Sequence, residues 1–198
     1  MKPEDFTQLI HNRTEHFNIR EFYAGNSEGS PKTEKIKNIM AIECTAGAQG
    51  SWFVSLSTRS GSCFSVYKEY GPTGIIKCKW VTFRNGGAVV GIRYIFDDNG
   101  KLQSAEDEEE GFHFTPHQVL EVCFDHKIDL LSDDTCIERY RDRHLKEFYY
   151  IIHFKGTYQD KSGTFLMILN GSNGVLERII LQHPGRPREL VYEKEKQS

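Results

Sequence analysis

From Trp52 to Leu102 apolar and polar side chains alternate with a period of two, and glycine, proline, asparagine and aspartate break the alternation at short intervals. This pattern predicts antiparallel strands joined by tight turns. Trp52, Val54 and Leu56 alternate with Phe53, Ser55 and Ser57, and Phe64 and Val66 with Cys63, Ser65 and Tyr67. After Gly71-Pro72-Thr73-Gly74, Ile76, Cys78 and Trp80 point one way while Lys77 and Lys79 point the other. Asn85-Gly86 and Asn99-Gly100 suit hairpin turns, because both residue types tolerate the positive φ such turns require.

The period then changes. Thr115 can cap a helix, Pro116 fits its first position, and Gln118 completes a T-x-x-Q capping box. A helix from Pro116 to about Lys127 is predicted, with Val119, Leu120 and Cys123 inward. Phe114 and Val119 occupy the positions of a hydrophobic staple. A second helix or turn is expected over Thr135–Glu147, where Ile137, Tyr140 or Arg141, Leu145 and Phe148 fall near one face. Alternation returns in Tyr149–Thr157, Thr164–Asn170 and Val175–Gln182, separated by Gln159–Gly163 and Gly171–Gly174. Lys2–Phe17 reads as a short helix, Gly25–Pro31 as a loop, and His183–Ser198 as a charged surface tail. The elements together predict an α+β fold: mainly antiparallel β-sheet, a meander or two packed sheets, with one or two covering helices. The expected organisation is one domain over residues 1–198, with a lobe boundary admissible in the acidic loop 103–111.

Composition changes this picture little. At 198 residues, 38% hydrophobic and 27% charged, the chain can build a core without disulfide staples. Five cysteines (44, 63, 78, 123 and 136) include no C-x-x-C pair, so neither a zinc ribbon nor a redox motif is expected. Cys44, Cys78 and Cys123 stand where small apolar residues would, which reads as reduced, buried thiols. Met1–Phe6 has no apolar leader segment and no run approaches a membrane span, so the expected location is cytoplasmic.

Charge changes it more. Between Asp97 and Asp134 twelve acids face two bases, a charge of −10 in a chain whose total is −3. Glu106-Asp107-Glu108-Glu109-Glu110 is the centre of that window. A solvated loop before a helix is the plain reading; a field that steers a basic partner is the functional one. The slightly acidic total argues against general nucleic-acid binding. Asp97-Asp98-Asn99-Gly100 has only the start of a calcium loop and fits a hairpin turn better. His113 and His117 lie four apart but on either side of the helix start, and His117, Glu121 and Asp125 form an exposed helical stripe, so no metal site is expected. His144, His153 and Lys155 can be recruited on paper into a two-histidine phosphodiesterase or nuclease. Arg139-Tyr140-Arg141-Asp142-Arg143-His144-Leu145-Lys146 reads as a solvated helix whose acids and bases pair locally, with a phosphate contact through Arg139, Arg143 and Lys146 as the functional reading. No nucleophile elbow, P-loop or dinucleotide fingerprint is present, and no cofactor is called for.

Two stretches carry a resemblance. Val90-Gly91-Ile92-Arg93-Tyr94-Ile95-Phe96-Asp97-Asp98-Asn99-Gly100-Lys101-Leu102 resembles the strand–turn units of MORN-like proteins. With Gly111–Thr115 and the helix that follows, it looks like small bacterial proteins of the toxin–immunity type. Tyr150–Phe154 through Asn170–Leu176 is similar to the last hairpin of PepSY-like modules. The resemblance implies a non-enzymatic binding protein, an immunity protein that neutralises a cognate toxin. A basic, nuclease-like toxin would meet Asp97, Asp98, Glu106, Asp107, Glu108, Glu109, Glu110, Asp133 and Asp134, which would occlude its active site. The other readings kept open are the histidine phosphodiesterase and a small-ligand carrier with a lipocalin-like barrel.

Overall fold

The computed structural model describes residues 6–18, 39–46, 52–58, 62–85, 87–142, 144, 146–185 and 187–195, without the side chains of 39–46 and 52–58. The expected loop Gly25–Pro31, the start of the Lys2–Phe17 helix, Gly86, and the side-chain readings at Cys44, Trp52, Val54 and Leu56 lie outside the described residues. Among the described residues the fold is mainly antiparallel β-sheet with one α-helix. It divides into two compact units, one of Glu4–Phe83 with Val89–Glu108, the other of Arg84–Ala88 with Glu109–Ser198.

The first unit is a six-stranded meander in sequence order: β1 (Ile39–Ala46), β2 (Trp52–Thr58), β3 (Phe64–Tyr70), β4 (Ile76–Phe83), β5 (Val89–Phe96) and β6 (Leu102–Asp107). The β5–β6 turn forms as its residues dictate. Asp97 Oδ1 accepts from the backbone N–H groups of Asn99 and Lys101, each at 2.9 Å. Gly100 takes the positive φ of 77° that costs glycine nothing. Phe64, Val66, Val81, Phe83 and Val90 are buried in the core of this unit. Phe6 covers Phe64 with ring centroids 5.1 Å apart. The described part of the expected N-terminal helix is instead a 3₁₀ turn, Phe6–Gln8, followed by irregular chain. That chain is held by backbone bonds to the start of β4 and the turn before it (Phe17 N–H to Gly74 O, 2.8 Å; Ile76 N–H to Glu15 O, 3.1 Å). These tertiary bonds satisfy groups that a helix would have satisfied internally.

Lys79 is fully buried, so it belongs to the interior although alternation groups it with the polar residues of its strand. Its Nζ donates to Glu15 Oε1 at 2.6 Å and to Arg13 O at 2.7 Å. Lys68 also pairs with Glu15, and the Tyr70 hydroxyl lies 3.4 Å from the same carboxylate. Burial alone would raise the Glu15 carboxyl; the hydrogen bonds and charges of Lys68 and Lys79 outweigh it and hold the group below its ordinary value.

The second unit holds α1 (Pro116–Asp125) and a sheet of β7 (Cys136–Asp142), β8 (Glu147–Tyr158), β9 (Lys161–Asn170), β10 (Leu176–Gln182) and β11 (Glu189–Glu193), paired in the order β11-β10-β9-β8-β7. The capping box of α1 is present in both directions, and Pro116, Val119, Leu120 and Cys123 are buried. Tyr150, Ile152, Phe165, Met167, Leu169 and Ile179 supply the fully buried side chains of the sheet.

Three expectations are corrected here. Cys136–Asp142 is a strand rather than a helix, paired residue for residue with β8 from Cys136↔His153 to Asp142↔Glu147. The segment fits either period in isolation, and the long β8 strand decides it by offering a full ladder. Most of Gln159–Gly163 is strand: only Gln159 and Asp160 turn, both at positive φ (46° and 64°), as in a two-residue primed hairpin. The expected surface tail contains β11, which pairs with β10.

Candidate functional site

The acidic residues singled out by sequence do not share one setting. Gln103–Asp107 belongs to strand β6 rather than to a loop, and β6 is the last strand of its sheet. Glu106 and Asp107 are exposed on it, Glu108 follows half-buried, and the Glu108 N–H donates to Gly91 O at 2.9 Å. Asp97 caps the β5–β6 turn, and exposed Asp98 pairs with Lys77, whose hydrogen bond and charge lower its carboxyl below the usual range. Those five residues lie in the six-stranded unit. Glu109, Glu110, Asp133 and Asp134 lie in the other. There Glu110, Asp133 and Asp134 are exposed, the last two in the turns that precede β7.

Glu109 is placed quite differently. It forms a bidentate pair with Arg139, Nη1 to Oε1 at 3.1 Å and Nη2 to Oε2 at 2.6 Å. Arg139 Nη2 also donates to the Tyr150 hydroxyl (2.8 Å), which donates on to Phe114 O (2.8 Å). The guanidinium sits 4.4 Å from the centroid of Phe112 and 5.0 Å from that of Tyr150. Only 6% of the Arg139 side chain is exposed and 26% of Glu109. This corrects the reading of Arg139 as part of a solvated helix: β pairing turns it inward, and a residue 30 positions earlier neutralises it. Burial pushes the Tyr150 phenol up to about 12, against the opposing charge of Arg139. Between the pair and Phe112 stands Gly111 at φ +87°, where a Cβ would come within 2.2 Å of the Phe148 ring. Gly111→Ala is therefore expected to destabilise this unit by about 2 kcal/mol, measurable as a shift in the urea midpoint. An unchanged midpoint would show that Phe148 yields freely.

Beside β6 the sheet carries a second group, which the charge pattern did not single out. Tyr67 of β3 stacks on Trp80 of β4, rings 5.7 Å apart and 10° from parallel, and Arg93 of β5 lies 5.4 Å over Trp80. Arg93 Nε also donates to Cys78 Sγ at 3.3 Å. An open depression of about 490 Å³ is lined here by Glu69, Lys77, Cys78, Arg93 and Asp97. Burial pushes the Cys78 thiol up although the Arg93 hydrogen bond opposes it, so it is a thiol at neutral pH and a poor nucleophile. The signal in the sequence was an aromatic on each of two consecutive strands, Tyr67 and Trp80, brought into register by the Gly71–Gly74 turn.

The histidines do not converge. His153 Nε2 lies 3.2 Å from Glu138 Oε2, opposite the start of β7, whereas His144 is in the β7–β8 connection. The strand from Glu147 to His153 spans about 20 Å. A two-histidine mechanism needs both within reach of one phosphate. Nor do the strands close into one barrel; they form separate sheets of six and five. Among the described residues no group of three or more ligand side chains could hold a metal ion, and no helix is long and apolar enough to cross a membrane. No protein-family model, curated protein or solved structure matches the chain.

Proposed function

We propose that this chain is a binding protein that engages a basic protein partner along strand β6, and that it acts as an immunity protein by occluding the active-site cleft of a cognate, nuclease-like toxin. The observation that carries the reading is the edge position of β6 together with the exposed carboxylates of Glu106 and Asp107 on it. An edge strand presents one row of backbone donors and acceptors away from its neighbour and can accept an added strand. Carboxylates on that strand repel phosphate and acidic chains and attract lysine- and arginine-rich ones. They raise the encounter rate more than the final affinity. The aromatic–arginine group on β3–β5 lies beside the same edge and supplies contact area of the kind that dominates protein interfaces.

The test is capture of the tagged chain's partner from the native host, followed by association kinetics at low and high salt. A single stoichiometric, basic partner is expected, whose nuclease activity is lost on binding. The Glu106→Lys/Asp107→Lys variant should associate at least about tenfold more slowly at low salt and with a flatter salt dependence. Equal kinetics for the two chains would refute the acidic edge, and a partner that keeps its activity in the complex would refute the immunity role.

A further inference from the structure

A second cavity lies on the five-stranded sheet, in the unit that does not contain β6. Strand register sets Tyr140 of β7 opposite Tyr149 of β8, Ile151 of β8 opposite Ile168 of β9, and Arg178 of β10 opposite Glu193 of β11. These residues line one cavity of about 390 Å³, to which Glu147, Glu177 and Lys194 add charge. The tyrosine rings stand 6.3 Å apart and are inclined by 33°, and Tyr140 is 47% exposed. The two isoleucines, both half-buried, give the cavity an apolar surface between its charged groups.

Its charges select a ligand. Arg178 is engaged by Glu193, with Nε to Oε1 at 3.0 Å. Among the described residues no ion pair holds Glu147 or Glu177. Three carboxylates thus face two cations, one of which is already neutralised, so an anion is disfavoured. A purely apolar ligand would strand the carboxylates out of water. What the lining lacks is a cation able to lie on aromatic faces and donate in a fork to a carboxylate while its stem covers isoleucine. A guanidinium does all three. The cavity is open on a sheet face rather than enclosed, which suits an end group projecting from a larger body.

We propose that this cavity receives the guanidinium group of an arginine side chain on a partner protein, laid against the rings of Tyr140 and Tyr149 and paired with Glu147 and Glu177. Tyr149 acts as a neutral ring. Burial, then the charges of Glu147 and Glu177, raise the Tyr149 phenol further from ionisation.

The test is a ¹H–¹⁵N titration of the full chain with the blocked tripeptide acetyl-Gly-Arg-Gly-amide. Its citrulline counterpart, which has the same shape without the charge, and methylguanidinium, a free cation, serve as comparisons. Saturable shifts centred on the amides of Tyr149, Ile151 and Ile168 are expected with the arginine peptide, and none with citrulline. Glu177→Gln should weaken binding about threefold and Lys194→Gln should strengthen it by a similar factor. Tyr149→Leu should abolish the shifts while leaving the core amides where they were. Equal response to citrulline, shifts elsewhere, or the two charge variants moving affinity in the same direction would overturn the proposal. Methylguanidinium binding as tightly as the peptide would overturn the assignment to a side chain and leave a site for a free cation.

Discussion

Replacing Glu109 by alanine is expected to destabilise the protein by about 3–5 kcal/mol, whereas Glu106→Ala, three residues earlier, should change stability by no more than about 0.5 kcal/mol. Both are acids of one run, and they differ in what surrounds them. Glu106 is exposed on an edge strand. Glu109 neutralises a guanidinium whose side chain is 94% removed from solvent and which also holds the Tyr150 hydroxyl. Removing the carboxylate leaves that guanidinium charged, since its pKa is too high for it to escape by losing a proton, and desolvated with its best acceptor gone. Changing both partners, Glu109→Leu with Arg139→Met, should cost clearly less than Glu109→Ala alone, because no buried charge is then left unpaired. Urea denaturation, with hydrogen exchange at the core amides of Ile152 and Met167, would read the difference. A Glu109→Ala midpoint equal to that of Glu106→Ala would mean the pair carries none of the fold.

Glu15→Gln should destabilise the six-stranded unit by about 3 kcal/mol. Lys79 would keep the Arg13 carbonyl but lose the carboxylate that balances it at zero exposure. The pH dependence has a definite sign. In the wild type the Glu15 carboxyl titrates below its ordinary value of 4.5 when folded. Its contribution is therefore present above pH 4.5 and is lost as pH falls through the depressed folded value. Burial lowers the Lys79 ammonium below its ordinary 10.5, with Glu15 opposing. The unfolded chain then holds that proton to higher pH than the folded one, so this term makes stability rise with pH on approaching 10.5. Without Glu15 the acid loss should shrink, and the alkaline rise should begin at lower pH. Denaturation at pH 3.5, 7 and 9 distinguishes the cases: parallel curves for wild type and variant would exclude the coupling.

What could be read from the chain was what is decided locally. Thr115, Pro116 and Gln118 specify a helix start within four residues, and Asp97 with Gly100 specifies a turn within the same span. Cys136–Asp142 was not readable in that way. Ile137 and Arg139 suit a strand, Ile137 with Tyr140 or Arg141 a helix, and the choice falls to β8, which follows it. β11 is five residues beyond a proline- and glycine-containing stretch and has no reason to be a strand until β10 offers its edge. The acidic run illustrates the same limit at the level of the site. Counting charge along a line treats Glu106 and Glu109 alike. Position in the fold gives one to solvent and the other to a buried guanidinium far along the chain. The aromatic group at Tyr67 and Trp80 escaped notice because cross-strand stacking is a property of register, which no single strand contains.

Asn85 turns the chain between β4 and β5, yet its side-chain amide donates to the carbonyls of Ser132 and Thr135, each at 2.8 Å, and the Ala88 N–H donates to Ile137 O. Those carbonyls come 47 and 50 residues later. On a ribosome adding 5–20 residues per second, Asn85 is made roughly 2–10 s before its acceptors exist. During that interval those acceptors are missing, and the Asn85 side chain is fastened once the chain has grown past Thr135. The β4–β5 turn is thus completed by Ser132 and Thr135, which are synthesised after the last strand of the meander.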